Sequence, residues 1–210
     1  MRIEGGEARG RILQTPQGTN TRPSDGKTRE KLFNSLGERV VGARFLDLYA
    51  GSGAVGLEAL SRGADFVVFV EQEHSALRAI RGNLKILGWE NRALVWGGNV
   101  RSALPKLDEN GEIFDIIFAD PPFRLPKEAE EVCARIDALP RLLNNVGVGT
   151  LDSLESSQLP HEVPHGILIV QHSHRVAPAK MTHFSPLRHK KAGESMLSFY
   201  VPATSINQIN

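Results

Sequence analysis

Residues 45–60, Phe-Leu-Asp-Leu-Tyr-Ala-Gly-Ser-Gly-Ala-Val-Gly-Leu-Glu-Ala-Leu, constrain the fold of this chain more than any other stretch. A short apolar run gives way to a glycine turn and then to apolar positions at helical spacing, which reads as buried strand, tight turn and helix. Gly51 and Gly53 let the backbone turn sharply and approach a ligand, and Gly56 lets the helix pack close to the strand. The same glycine spacing serves nicotinamide, flavin and adenosylmethionine sites, so it fixes a fold class before it fixes a chemistry. Glu71 ends the next apolar run, twenty residues past Gly51, where an acid can hold a ribose diol. Each of those cofactor classes can use it.

The chemistry is separated by Asp120-Pro121-Pro122-Phe123, which follows the apolar run 113–119. Both prolines fix φ at about −65° and lack an N–H, so this backbone moves little and leaves its carbonyls free to accept hydrogen bonds. A carboxylate, a carbonyl and an aromatic ring in such a frame suit a planar, amine-bearing ring. Hydride transfer has no need of that arrangement, whereas methylation of an exocyclic nitrogen does. A capping Asp on a Pro-terminated strand would explain the tetrapeptide alone, but not its pairing with the glycine motif.

The order of motifs predicts an α/β fold with a mostly parallel, doubly wound sheet. Strands are expected at about 44–49, 65–71, 93–96 and 113–119, with helices ending at Gly63 and Gly88, the latter a good C′ glycine. Gly51, Glu71, Asn99 and Asp120 then fall on one rim, at the carboxyl ends of the strands. Residues 1–15 suggest a β-hairpin turning at Gly5-Gly6, with Arg9, Arg11, Leu13 and Thr15 on one face. Ser24 can cap a helix carrying Lys27, Arg29 and Lys31. A helix is expected over 127–144, a long loop over 145–165 and a fifth strand over 166–172. Two further strands, 181–189 and 195–201, would close the sheet as antiparallel edges around Lys190-Lys191-Ala192-Gly193.

At 210 residues and 40% hydrophobic content, one domain spanning 1–210 can bury its own core, with 1–40 as a basic extension and 41–205 as the catalytic core. A lone cysteine, Cys133, permits a reducing compartment; the absence of a long apolar run or a leader pattern leads to the expectation of a soluble cytoplasmic protein, most simply a monomer. The formal net charge of +1 conceals an asymmetry: residues 1–44 carry nine Lys or Arg against five acids, and 175–191 carry five against none. Basic ends around an acidic middle suit a polyanion held beside the cofactor site.

With these residues in view, the chain resembles the bacterial 16S rRNA guanine-N2 methyltransferases of the RsmD type over nearly its whole length. The resemblance rests on Arg2-Ile3-x-Gly5-Gly6-x-x-Arg9-Gly10-Arg11, Thr21-Arg22-Pro23, Arg29-Glu30-x-Leu32-Phe33-Asn34, the glycine motif through Leu60-Ser61-Arg62-Gly63-Ala64, Asp120-Pro121-Pro122-Phe123 and Ser198-Phe199-Tyr200. It implies a Rossmann-like class I methyltransferase fold and S-adenosyl-L-methionine as cofactor. Gly51 and Gly53 would approach its methionine end, Glu71 its ribose and Asn99 its adenine, with Asp47, Tyr49, Ser52, Gln72 and Asp120 completing the cofactor site. Asp120, Pro121, Pro122 and Phe123 would be catalytic, Phe123 also stacking on the target base; Arg9, Arg11, Arg22, Lys27 and Arg29 would contact RNA. The implied partner is 16S rRNA or the assembling small subunit.

Sharper readings of other residues carry less. His172 and His174 alternate along one strand face without a third ligand at matching spacing, so no metal is expected. Cys133 lacks an activating neighbour and reads as a half-buried helix residue, and Trp89 and Trp96 as packing residues. Two other functions stay open: methylation of adenine N6 in DNA or of a protein glutamine, and RNA binding by a relict, non-catalytic cofactor pocket.

Overall fold

The computed structural model describes residues 1–16, 26–122, 127–144 and 166–203. Helix α1 (Gly26–Leu36) leads into β1 (Arg44–Leu48), α2 (Ala54–Ser61), β2 (Phe66–Glu71), α3 (His74–Leu87), β3 (Ala93–Gly97), α4 (Val100–Glu109), β4 (Ile116–Ala119) and α5 (Glu128–Asp137). Strands β5 (Ile167–Ser173), β6 (Phe184–Ala192) and β7 (Ser195–Pro202) complete one seven-stranded sheet of order β3-β2-β1-β4-β5-β7-β6. The first five are parallel, and β7 and β6 add as antiparallel strands. After β3 the chain crosses back to the far side of β1, so the strand order reverses between β1 and β4, the point where open α/β sheets bind ligands.

Alternation along the strands builds two cores. Phe45, Val67, Phe69, Ile116, Phe118, Ile167 and Ile169 face α1, α2, α3 and the amino-terminal residues Ile3, Ala8 and Leu13. Leu46, Val68, Val70, Ile117, Leu168 and Val170 face α4 and α5. Apolar cover on both sides explains why the central strands read as unbroken hydrophobic runs.

The structure departs from the expected elements at several places. The amino-terminal hairpin reduces to a single antiparallel bridge, Arg2 to Ile12. Leu13 is buried while Arg9, Arg11 and Thr15 are exposed, so these four do not share a face. Gly5 and Gly6 serve close approach: a Cβ at Gly6 would collide with the Ser61 carbonyl, and one at Gly5 with the Arg62 guanidinium. The ribbon therefore lies on the carboxyl end of α2. Ser61 fastens it there, its Oγ donating to Gly5 O at 2.6 Å and accepting from Ala8 N at 2.9 Å. The helix expected over 127–144 stops at Asp137, and a short 3-10 turn, Pro140–Leu142, follows; the residue before a proline is pushed out of helical geometry. Lys190 and Lys191 lie within β6, leaving only Gly193 and Glu194 between the last two strands. The Ser24 cap and the 145–165 loop fall outside the described residues.

Candidate active site

The loop after β1 and the loop after β4 flank the point where strand order reverses. Gly51 has φ +54°, and its nearest neighbour to a would-be Cβ is Tyr49 O at 4.0 Å, so the glycine leaves open space at the rim. Gly56 has the opposite reason to be glycine. A Cβ there would run into the Phe69 ring and come within 2.9 Å of Val67 Cγ1, which sets how closely α2 approaches β2.

Glu71 fixes the glycine loop. Its Oε2 accepts from Gly51 N at 2.7 Å, and its Oε1 accepts from Gln72 N and Glu73 N, each at 2.8 Å. A carboxylate accepts at about four positions, so one acceptor direction remains for a ligand hydroxyl. Beside it opens a cleft of about 260 Å³ lined by Tyr49, Glu71, Gln72, Gly98, Asn99 and Pro122, among others. Asn99 caps α4, its Oδ1 accepting from Ser102 N at 2.8 Å. That bond uses one of the two acceptor directions of the Asn99 amide oxygen, and its side chain lines the cleft.

The carboxylates converge on this rim. Asp47 is 1% exposed and accepts from Gly56 N at 2.9 Å. Burial raises its pKa to about 8 against the opposing effect of that hydrogen bond, and the charges of Asp120 and Glu71 push it further. Asp47 thus positions the loop from beneath instead of lining the cleft. Asp120 is half-buried, Pro121 buried, and Pro122 exposed to the cleft; Asp120 N donates to Leu48 O at 3.4 Å. Phe123 lies outside the described residues.

Tyr49 holds φ +61°, the one described non-glycine residue with positive φ. Its hydroxyl donates to Glu128 Oε1 at 2.8 Å. That bond ties the start of α5 to the glycine loop. Sequence reasoning missed Glu128, although an acid just past Asp-Pro-Pro-Phe is a visible signal. It also missed Arg101, a cleft residue that reaches Glu131 of α5 at 3.0 Å. Ser52, expected at the cofactor, is half-buried with its Oγ 3.6 Å from Met1 Sδ.

The residues expected to touch RNA divide. Arg29 is 3% exposed: it donates to Arg2 O at 2.8 Å and lies 3.5 Å from Glu58, a carboxylate that is itself 1% exposed. Arg29 is a bolt between α1, α2 and the ribbon, and its burial removes it from the RNA contacts. Arg9 and Arg11 are exposed, but the adjoining Ala8 sits against Ser61, at the end of α2 farthest from the glycine loop. Lys27 is exposed at the start of α1. Arg22 lies outside the described residues.

His172 is 5% exposed and bonds Ser198 Oγ through Nε2 at 2.7 Å, while His174 meets Glu194 O at 2.8 Å. Among the described residues no group of three potential ligands could hold a metal ion. Cys133 is more buried than expected, at 2% exposure, and burial pushes its thiol up to about 12. Trp89 is buried. No helix of the described residues is long and apolar enough to cross a membrane.

Comparison with known proteins agrees with this architecture. Ribosomal RNA small subunit methyltransferase D of Escherichia coli (strain K12) is 40% identical over 124 residues, 59% of this chain and 61% of that protein. The YlbH protein of Bacillus subtilis (strain 168) is 39% identical over 127 residues, 60% of this chain and 69% of that one. The solved structure of a hypothetical protein from Thermus thermophilus superposes with a TM-score of 0.72 at 30% identity, covering 95% of this chain and 98% of that one. The fold is that of the class I adenosylmethionine-dependent methyltransferases. The pattern of the family described as Conserved hypothetical protein 95 matches residues 1–201, and the chain belongs to this family, that of RsmD.

Proposed function

We propose that the protein transfers a methyl group from S-adenosyl-L-methionine to the exocyclic N2 of a guanine in small-subunit (16S) rRNA, acting in the cytoplasm as one domain. The observation that carries this reading is a single cleft lined both by Glu71 and Asn99, suited to an adenosyl group, and by Pro122 of the Asp-Pro-Pro segment. The names of the relatives support rRNA as the substrate class. The guanine N2 position rests on the chemistry of Asp120 and on the resemblance.

The residues present fit the cofactor: Gly51 leaves space at the rim, and Glu71 retains an acceptor for a ribose hydroxyl. When bound, adenosylmethionine supplies a methyl group on a cationic sulfur that a nitrogen lone pair can displace. A guanine amino group delocalises that pair into the ring and is a poor nucleophile. The Asp120 carboxylate and the Pro121 carbonyl would each accept one N–H, drawing the nitrogen towards a pyramidal geometry. Positive charge grows on nitrogen during attack, so a fixed anion at Asp120 favours the transition state over the ground state. The resulting aryl-ammonium is strongly acidic and releases its proton without a histidine base. The target base must leave its stack to enter, and Phe123 would pack against it.

Asp120→Ala separates the two halves of this account. Calorimetry should find adenosylmethionine affinity nearly unchanged, while transfer to rRNA falls by at least about a thousandfold, as when a group acting mainly in the transition state is removed. Equal loss of binding and transfer would remove Asp120 from the catalytic role.

A further inference from the structure

The carboxyl end of β6 shares the catalytic rim. β6 is antiparallel to β7, and β7 to β5, so β6 runs in the direction of the parallel strands. The register makes this concrete. Ala119, Val170, Ser198 and His189 form one row across the sheet, and His172, Met196 and Lys191 form the row two residues higher, level with Pro121. Three strand spacings separate β4 from β6, or about 14 Å.

Cations gather on this edge. Lys31 Nζ, from α1, donates to Lys191 O at 3.2 Å, and Lys190 Nζ donates to Ser35 Oγ at 3.1 Å. Arg188 reaches Ser35 O at 3.4 Å and stacks over Phe199. Among the described residues, Lys31, Lys190 and Lys191 form no ion pair; the ammonium groups of Lys31 and Lys190 rest on neutral oxygens, and Lys191 is exposed. The one acid in the turn after β6, Glu194, lies against His174 at 3.8 Å. Burial lowers the Lys190 pKa, and the charges of Arg188 and Lys31 lower it further, the mark of like charges packed without a counterion.

We propose that Lys31 and Lys190, on the α1 face of the β6 edge, and Lys191, on its opposite face, form a phosphate-binding edge that holds the RNA backbone a few nucleotides from the target base. The inference rests on the rRNA reading above and goes beyond it by placing the substrate's path along the rim towards β6, away from the far end of α2 where Ala8 is fastened. Lysines on an edge strand also discourage sheet-to-sheet pairing. That role alone would leave RNA binding untouched when they are replaced and would raise self-association.

The test is binding of unmodified 16S rRNA to the full chain and to a Lys31→Gln, Lys190→Gln, Lys191→Gln variant across a salt series, with adenosylmethionine affinity measured alongside. Loss of three phosphate contacts should weaken RNA binding and make the slope of log affinity against log salt shallower by about two, with cofactor affinity unchanged. Lys191→Glu alone, at an exposed position, should weaken RNA binding in the same direction should the triple variant fold poorly. An unchanged slope in the variants, with the wild type binding rRNA, overturns the phosphate-binding edge and leaves the proposed function standing. Loss of binding to anionic phospholipid vesicles with rRNA binding unaltered would assign the edge to a membrane surface and also overturn the proposal. A wild-type chain that binds adenosylmethionine but no rRNA defeats both readings together.

Discussion

Asp47 is the residue where sequence and environment pull hardest against each other. A carboxyl group at 1% exposure, with a pKa raised to about 8, is mostly protonated at neutral pH, where an unfolded aspartate is ionised. The folded state then binds more protons than the unfolded one between about pH 4 and pH 8, so the stability present below pH 4 is lost as pH rises through that window. Asp47→Asn keeps an acceptor for Gly56 N and removes the titration. Denaturant unfolding across that window should show the wild type losing stability relative to the variant by up to about 1.4 kcal/mol per pH unit. Parallel curves would mean that Asp47 is ionised in the fold. Sequence alone could place Asp47 in a buried strand but could not show how far its carboxyl is raised, because the charges of Asp120 and Glu71 reach it from the ends of other strands. Arg29 teaches the same lesson in reverse: a cation in a basic segment looked exposed, and its partner Glu58 sits on another helix.

Among the elements, the β1–α2 unit was legible because its glycines answer local demands. Gly56 is the clearest case. Its backbone needs no special angle; what it lacks is room, since a Cβ would press into Phe69 and Val67 of β2. Gly56→Ala gains some helix propensity but overpacks this contact, so a net loss of about 1–2 kcal/mol is expected, read as a lower Tm together with weaker adenosylmethionine binding. An unchanged Tm would show that α2 can shift freely. Strands β1 to β5 were readable from their apolar runs and turn residues. Helix α4 was not, because Pro105 inside it looks like a break; Asn99 at its cap and buried Val100, Ala103, Leu104 and Leu107 hold it in place. The amino-terminal ribbon reads as a β-hairpin because Gly5 and Gly6 look like turn residues, whereas they are the footprint of Ser61 and Arg62.

At the scale of the molecule, the sheet brings four sequence-distant segments to one rim: the glycine loop after β1, Glu71 after β2, Asn99 after β3 and Asp120 after β4. That convergence was legible, since a doubly wound order places every strand's carboxyl end together. The basic edge of β6 was legible only as composition; its level with Pro121 needed the register of three strand pairs. The account stands or falls on the base that receives the methyl group. The most direct measurement is transfer from labelled adenosylmethionine to unmodified small ribosomal subunits, free 16S rRNA and DNA, followed by digestion to nucleosides. Label in N2-methylguanosine from the rRNA is the predicted result; label in a methyladenine, or in none of these substrates, would contradict it.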